Sequence, residues 1–305
     1  MIVFATSDKG GTGRSVTCAN IAYRRALGGD DVAYVDFDFG SPTAATVFEL
    51  GSAVRRAADG GVHSCLRGQV AEPARLDVWL LSEREVLRRS LAGAGRLCLV
   101  PGDPGGGEFP ADEAMTRRCA ALLLAMEQEF AVTIVDLSAG RSYAIDIALR
   151  TTARPEFRDV VTRWLVFHRW TRQHIEATAA LVGQERGILQ IGAHWGHDTE
   201  DLVRRIRYVR AAVPGSDASS AAGLRAEQAE WLRSVDAELT RRSGRLGLGR
   251  TATLGTVPLD PVLQWSEQLI TDEDVLMPPI ANADTVQAFR DLADALTDDE
   301  RWQTL

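Results

Sequence analysis

The chain has 305 residues, a formal net charge of −8 and 45% hydrophobic residues. This size suits one large α/β domain or two small ones. No run approaches about 18 uninterrupted apolar residues, and the first predicted strand begins at the initiator methionine, so we expect neither a membrane span nor a signal peptide. The four cysteines form no Cys-x-x-Cys pair, which removes the usual clue to a zinc or iron–sulfur site. We therefore expect a cytoplasmic globular protein.

Apolar runs of strand length recur along the chain, mostly separated by stretches of helix length. This alternation predicts an α/β fold, a mostly parallel sheet with helices on both faces. The runs lie near residues 2–6, 32–36, 78–81, 97–100, 132–136, 164–167, 206–213 and 252–257.

The first run leads into a glycine-rich turn, Ser7-Asp8-Lys9-Gly10-Gly11-Thr12-Gly13-Arg14-Ser15, and then into a predicted helix over residues 15–27. Glycines let backbone N–H groups close around phosphate oxygens, and the N-terminus of the following helix favours an anion. A strand, a glycine-rich turn and a helix in this order predict a phosphate-binding loop. Lys9 is the single lysine among 34 basic residues, which marks it as a functional candidate.

The turn resembles the deviant Walker A motif of the ParA/MinD family of dimerising P-loop ATPases. In that family an early signature lysine precedes two glycines and reaches across a dimer interface to the partner's nucleotide, a role that falls on Lys9. The family normally has a second lysine just before the Ser or Thr, where this chain has the bulkier, planar Arg14. We therefore expect a weak ATPase. The resemblance assigns ATP binding to Gly10, Gly11, Thr12, Gly13, Arg14, Ser15 and Val16.

A second motif follows the run over residues 32–35, which ends in Asp36-Phe37-Asp38. It is similar to the family's second strand and switch I segment. By that resemblance Asp38 orients the attacking water or contacts the magnesium shell, and Asp36 supports it. Two aspartates at a strand end can also simply begin a turn, but their position after Lys9 favours the functional interpretation.

The third motif is the run over residues 132–135 followed by Asp136, an apolar strand that ends in an aspartate. This is the Walker B arrangement, which places a carboxylate near the metal that bridges the terminal phosphates. The family usually shows Asp-Thr-Pro-x-Gly here, and this chain keeps Asp136 and Gly140. The resemblance implies that Ser15, Asp38 and Asp136 bind Mg²⁺ and that Gly140 lets the backbone approach the γ-phosphate.

The C-terminal part, residues 252–260, resembles the family's last core strand and the loop near the adenine. Pro258 and Asp260 are therefore candidate base contacts. A predicted helix over residues 284–297 has one apolar face and an acidic remainder, so it should pack against the sheet and be repelled by anionic membranes. The predicted apolar face consists of Val286, Phe289, Leu292 and Leu296.

Two further segments are ambiguous. Residues 204–250 carry ten arginines against five acidic residues, which fits either non-specific DNA contacts or a solvated helix pair. In the predicted helix over residues 227–242, apolar positions favour core packing. An aromatic and basic cluster around the predicted strand over residues 164–167 fits either stacking on a base or nucleic acid or, as the favoured interpretation, burial at a dimer or partner surface. The cluster consists of Trp164, His168, Arg169, Trp170, Arg172 and His174. In the predicted helix over residues 227–242, the expected core positions are Trp231, Leu232, Val235 and Leu239.

Together the motifs predict a single nucleotide-binding domain over residues 1–305, with residues 51–130 weakly matched as a candidate insertion. The main hypothesis is an ATP-dependent dimerising switch that uses ATP and Mg²⁺ and positions DNA or a protein cargo by slow hydrolysis. Lys9 and Asp38 would be its catalytic residues. The alternative is a catalytically impaired scaffold or protein-interaction module of the same fold. Transfer chemistry is disfavoured, because the chain lacks a C-terminal tyrosine cluster and the length for a glutaminase domain.

Overall fold

The computed structural model describes residues 1–56, 60–89, 92–213 and 225–303. In this part of the chain the strands form one sheet, which is parallel except where β3 pairs antiparallel with β4. The strands are β1 (Ile2–Ser7), β2 (Val32–Phe37), β3 (Leu76–Asp77), β4 (Leu97–Val100), β5 (Val132–Leu137), β6 (Thr162–Arg169), β7 (Ile206–Val213) and β8 (Thr253–Pro258). Their order is β3-β4-β2-β5-β1-β6-β7-β8.

Helices cover both faces of the sheet, so the predicted α/β class is confirmed. Successive residues of a strand point to opposite faces, and Ile2 and Phe4 accordingly belong to one core while Val3 and Ala5 belong to the other. The helices are α1 (Arg14–Leu27), α2 (Ala44–Val47), α3 (Gly51–Arg56), α4 (Val62–Leu66), α5 (Val78–Leu81), α6 (Glu113–Glu129), α7 (Tyr143–Thr152), α8 (Arg172–Gly183), α9 (Ile188–Trp195), α10 (Thr199–Arg204), α11 (Ala226–Arg245), α12 (Val262–Trp265), α13 (Glu273–Leu276), α14 (Ala283–Thr297) and α15 (Asp299–Gln303).

One predicted strand is wrong. The run over residues 78–81 forms the short helix α5 instead, because Asp77 caps it by accepting a hydrogen bond from the backbone N–H of Leu80 at 3.0 Å. The strand lies just before it, at β3. Four apolar residues carry no periodicity that separates a buried strand from a buried helix turn.

The acidic C-terminal helix packs as predicted. α14 buries the four predicted apolar residues against α1 and β8, in the same core as Val3 and Ala5. Its acidic side chains lie on the outer face, where Asp291 accepts a hydrogen bond from Gln287. This helix closes one face of the sheet beside the loop that follows β1.

Trp164, His168 and Trp170 of the cluster around β6 are buried within the protein itself, so their predicted place at a partner surface is wrong. Its other members, Arg169, Arg172 and His174, are partly or fully exposed. Trp164 stacks on Phe4 with ring centroids 4.9 Å apart, and His168 is fully buried. The indole N–H of Trp170 donates to Asp236 at 2.7 Å. The physical reason is topological, because β6 lies between β1 and β7 and is covered on both faces.

Not every arginine of the arginine-rich segment faces solvent. Arg207 is fully buried and donates to backbone carbonyls near the C-terminus, and Arg242 pairs with Glu176. Leu239 packs as expected, but Trp231 is 64% exposed and its predicted core position is wrong. α11 packs on α8 and on Trp170 through the side that carries Leu239, and Trp231 lies on its exposed side. Residues 214–224 of this segment lie outside the described residues.

Burial of His168 predicts a loss of stability in acid. Burial first, and then the charges of Arg210 and His174, lower its pKa from 6.5 to about 4. Between these two pKa values the histidine is protonated in the unfolded chain but neutral in the folded chain. The free energy of unfolding therefore falls by about 3 kcal/mol as the pH drops from 6.5 to 4. We expect His168→Asn to lose this part of the pH dependence in urea unfolding. The matched control His194→Asn changes an exposed histidine and should keep the wild-type slope; an equal slope in both variants would contradict the assignment.

Candidate functional site

The glycine-rich loop joins β1 to α1 at the edge of the sheet where the parallel strands end. Gly11 and Gly13 have φ values of 70° and 73°, which side-chain-bearing residues rarely adopt. Two hydrogen bonds fix the start of the loop. The Ser7 hydroxyl donates to the Lys9 carbonyl at 2.9 Å, and the Gly140 N–H donates to the Ser7 carbonyl at 2.7 Å. The loop conformation is thus fixed by glycine positions and by the end of β5.

The same loop presents unpaired backbone donors. Within the described residues, the N–H groups of residues 10–13 donate no hydrogen bond to the chain, and α1 begins without a side-chain cap. No atom lies within 4 Å of the place where a Cβ on Gly10 or Gly11 would stand. An uncapped helix N-terminus beside open backbone amides is a site for an anion. Phosphate is an anion of the kind that such a helix start binds.

Arg14, at the first position of α1, lies between two carboxylates. Its Nε donates to Asp136 Oδ1, and its Nη2 donates to Asp38 Oδ2 at 2.9 Å. Arg14 is 6% exposed and Asp136 is 1% exposed. Burial alone would lower the pKa of Arg14, but the charges of Asp136 and Asp38 raise it above its usual value. The guanidinium is therefore a fixed internal cation.

Tyr34 is the second side-chain donor to Asp136, and the sequence did not indicate this contact. Its hydroxyl donates to Asp136 Oδ2 at 2.8 Å, so both oxygens of this carboxylate accept hydrogen bonds. Tyr34 pairs with Ile134 across β2 and β5, which places it on the same face as Asp136, two residues further on. Burial and the charge of Asp136 raise the pKa of Tyr34 well above its usual value, so it stays a donor. In the sequence this residue reads only as part of an apolar run.

Asp36 shapes the turn that carries Asp38. Its carboxylate accepts from the backbone N–H groups of Asp38 and Ala44, both at 3.1 Å. Burial, followed by the charge of Asp136, raises the pKa of Asp36 to about 8. The structure therefore brings Asp36, Asp38 and Asp136 together with Arg14 at one sheet edge.

The other candidate residues lie around this centre with different partners. The N–H of Gly140 is already used on the Ser7 carbonyl, although its φ of 80° keeps the backbone close to Asp8. Asp260 is 1% exposed and accepts hydrogen bonds from the N–H groups of Val262 and Asn282 and from the Thr285 hydroxyl. It thereby fixes the loop after β8, and its contact with a base stays a prediction, as does that of Pro258.

The sequence matches no family model and no curated protein. Solved structures are similar over nearly the whole chain. MinD in the MinC:MinD cell division complex of Aquifex aeolicus aligns with a TM-score of 0.60 and 16% identity, covering 97% of this chain and 95% of that chain. MinD from Pyrococcus horikoshii, complexed with Mg-ADP, gives 0.54 and 14%, covering 98% and 96%. A putative plasmid partition protein from Borrelia burgdorferi, bound to AMPPNP, gives 0.56 and 10%, covering 98% of each chain.

The chain has a ParA/MinD-like P-loop ATPase fold. At these identities the similarity establishes the fold alone. The ParA/MinD-like fold accounts for the meeting of residues far apart in sequence, since β2, β5 and β1 are adjacent and parallel and end at the same edge. Within the described residues, no helix combines the length and the apolar character needed to cross a bilayer. DNA binding through residues 204–250 gains no support from the arrangement of its arginines.

We predict that Tyr34→Phe destabilises the protein by about 1.5–3 kcal/mol, because a buried carboxylate oxygen loses its donor. The free energy of unfolding in urea measures this loss. Tyr143→Phe is the matched control. Tyr143 is 45% exposed, and loss of its hydroxyl should change the free energy of unfolding by less than about 0.5 kcal/mol. Equal small effects of both substitutions would show that the Tyr34 hydroxyl does not support Asp136.

Proposed function

We propose that this chain is a nucleotide-binding, dimerising switch protein of the ParA/MinD type that positions a protein cargo in the cytoplasm, with weak ATP hydrolysis. The observation that carries the proposal is that the backbone N–H groups of residues 10–13 have no acceptor in the described chain and lie next to the uncapped start of α1. ATP would bind there through its phosphates, contacted by the backbone from Gly10 to Val16. Similar structures hold Mg-ADP and AMPPNP, which supports a nucleotide as the ligand.

Lys9 supports a second part of the proposal, the dimer. Its side chain is partly exposed, and among the described residues its ammonium makes no hydrogen bond or ion pair. It lies close enough to His174 that, after burial, its charge is the next cause that lowers the pKa of that histidine. A lysine is a compact charge on a flexible stem, suited to reach a phosphate outside its own loop. We propose that this phosphate belongs to the nucleotide of a second copy of the chain.

Hydrolysis should be weak because the carboxylates assigned to it are already paired. Asp38 and Asp136 both bind the Arg14 guanidinium, so the residues present do not fit Mg²⁺ in this arrangement. The same observation favours the second candidate function, a scaffold of this fold without turnover. The two candidates share the protein partner and differ in whether nucleotide controls assembly.

A protein cargo fits the surface better than DNA. Trp265, the last residue of α12, is 91% exposed, and its neighbour Gln264 accepts a hydrogen bond from Arg169 at 3.5 Å. Exposed aromatic residues are enriched at protein–protein interfaces. One of the similar structures is a MinD bound to its protein partner MinC, which supports the same class of partner.

We predict that ATP shifts the wild-type chain from monomer to dimer in gel filtration with light scattering, and that Lys9→Ala abolishes the shift. Lys9→Arg is the charge-matched control and should keep part of it, because arginine retains the charge with a bulkier head. Binding of a fluorescent ATP analogue should survive in both variants, since the backbone of the loop supplies the phosphate contacts.

Three outcomes would contradict this function or a part of it. A wild-type chain that binds no ATP would leave the scaffold as the remaining function. A wild-type chain that binds ATP and stays monomeric would remove the cross-subunit role of Lys9. A dimer that forms equally well in Lys9→Ala would remove that role too.

A further inference from the structure

The Arg14 guanidinium contacts every side chain that the resemblance assigns to Mg²⁺. Nε binds Asp136 Oδ1, Nη2 binds Asp38 Oδ2 at 2.9 Å, and Nη2 lies 3.4 Å from the Ser15 hydroxyl. Magnesium requires oxygen ligands of this kind at short, near-octahedral distances. The position that would suit the metal is therefore taken by a cationic side chain of the protein itself.

The remaining oxygens of the two carboxylates are also engaged. Asp136 Oδ2 accepts from Tyr34 at 2.8 Å, and Asp38 Oδ1 accepts from the backbone N–H of Ser41 at 3.2 Å. No oxygen of either carboxylate is left without a donor. A metal ion would have to share every one of these oxygens with a donor that is already bound.

Electrostatics oppose a metal beside the guanidinium. Two cations that share the same carboxylates repel each other strongly in a site with little water, and Arg14 is 6% exposed. Releasing Arg14 instead would break two charge-assisted hydrogen bonds that match its planar, forked head. Either route makes divalent binding unfavourable relative to a site that has a free pair of carboxylates.

We propose that Arg14 is the resident cation of this site and excludes Mg²⁺ from Asp38 and Asp136. The inference rests on the proposed function and names its ligand class more closely: the loop binds a nucleoside triphosphate without a divalent cation. Arg14 is then the residue that determines whether the nucleotide is bound with or without Mg²⁺. The open amides of the loop and Lys9 supply the charge compensation that the metal would otherwise give.

The test compares wild type with Arg14→Lys, because a lysine head cannot span both carboxylates. The affinity for ATP is measured in Mg²⁺ and in EDTA. The affinity of wild type for ATP should differ by no more than about threefold between Mg²⁺ and EDTA. Arg14→Lys should bind ATP at least about tenfold more tightly in Mg²⁺ than in EDTA. ATP turnover should rise in Arg14→Lys only when Mg²⁺ is present.

A second measurement does not depend on nucleotide. Electron paramagnetic resonance with Mn²⁺, as a probe for Mg²⁺, counts ions bound to the nucleotide-free protein. Wild type should bind none at this site, and Arg14→Ala should gain one, which is lost again when Asp136→Asn is added. Circular dichroism confirms that each variant is folded, and Arg14→Lys replaces Arg14→Ala in this measurement if the alanine variant is not.

Arg84→Lys is the matched control. Arg84 binds both oxygens of Asp274 at 2.6 Å, away from the loop, and should keep wild-type behaviour in both measurements. Wild type that binds ATP tenfold more tightly with Mg²⁺, or that binds Mn²⁺ as well as the Arg14 variants do, would overturn the inference. If wild type binds no ATP, the proposed function fails, and the Mn²⁺ measurement alone then decides whether Arg14 excludes the metal.

Discussion

The site is organised by one buried arrangement of charges, the Arg14 guanidinium between Asp136 and Asp38. It joins the start of α1 to the ends of β5 and β2, so three separate elements meet at one cation. Taking such charges out of water is costly, and only close geometry with further hydrogen bonds offsets the cost. Here Tyr34 and the turn around Asp36 provide those hydrogen bonds. Loss of one partner from a buried pair typically costs about 3–5 kcal/mol, because the remaining charge is left buried and uncompensated, so the three side chains depend on one another.

The topology makes this meeting unavoidable. The central strands run β2-β5-β1 and are parallel, so the residues that follow each strand lie at the same edge. Asp36 pairs with Asp136 in the register of β2 and β5, and β1 delivers the glycine loop beside them. An amide-lined anion cradle and an acidic pair thus lie next to each other. Arg14 offsets one of the two carboxylate charges that would repel a phosphate.

Sequence alone predicted the parts of this site that depend on local pattern. Apolar runs ending in Asp38 and Asp136, with a glycine loop after the first run, require only strand length and order. The direction of the Arg14 side chain could not be predicted, since a long side chain at the start of α1 can reach either a phosphate or the carboxylates. Tyr34 was missed because its partner depends on strand register. Register and strand order also buried Trp164 and His168, which the sequence placed at a surface.

The two cations of the loop differ in a way that matches their surroundings. Arg14 is buried between carboxylates that a planar, forked head can bind together, and a single ammonium would satisfy them less well. Lys9 lies in the open part of the loop, where a compact and mobile charge is more useful than a fixed fork. In a chain that otherwise uses arginine for every basic position, keeping lysine only there argues for a demand on chemistry at residue 9. The motif therefore has one cation that is fixed between carboxylates and one whose ammonium has no partner among the described residues.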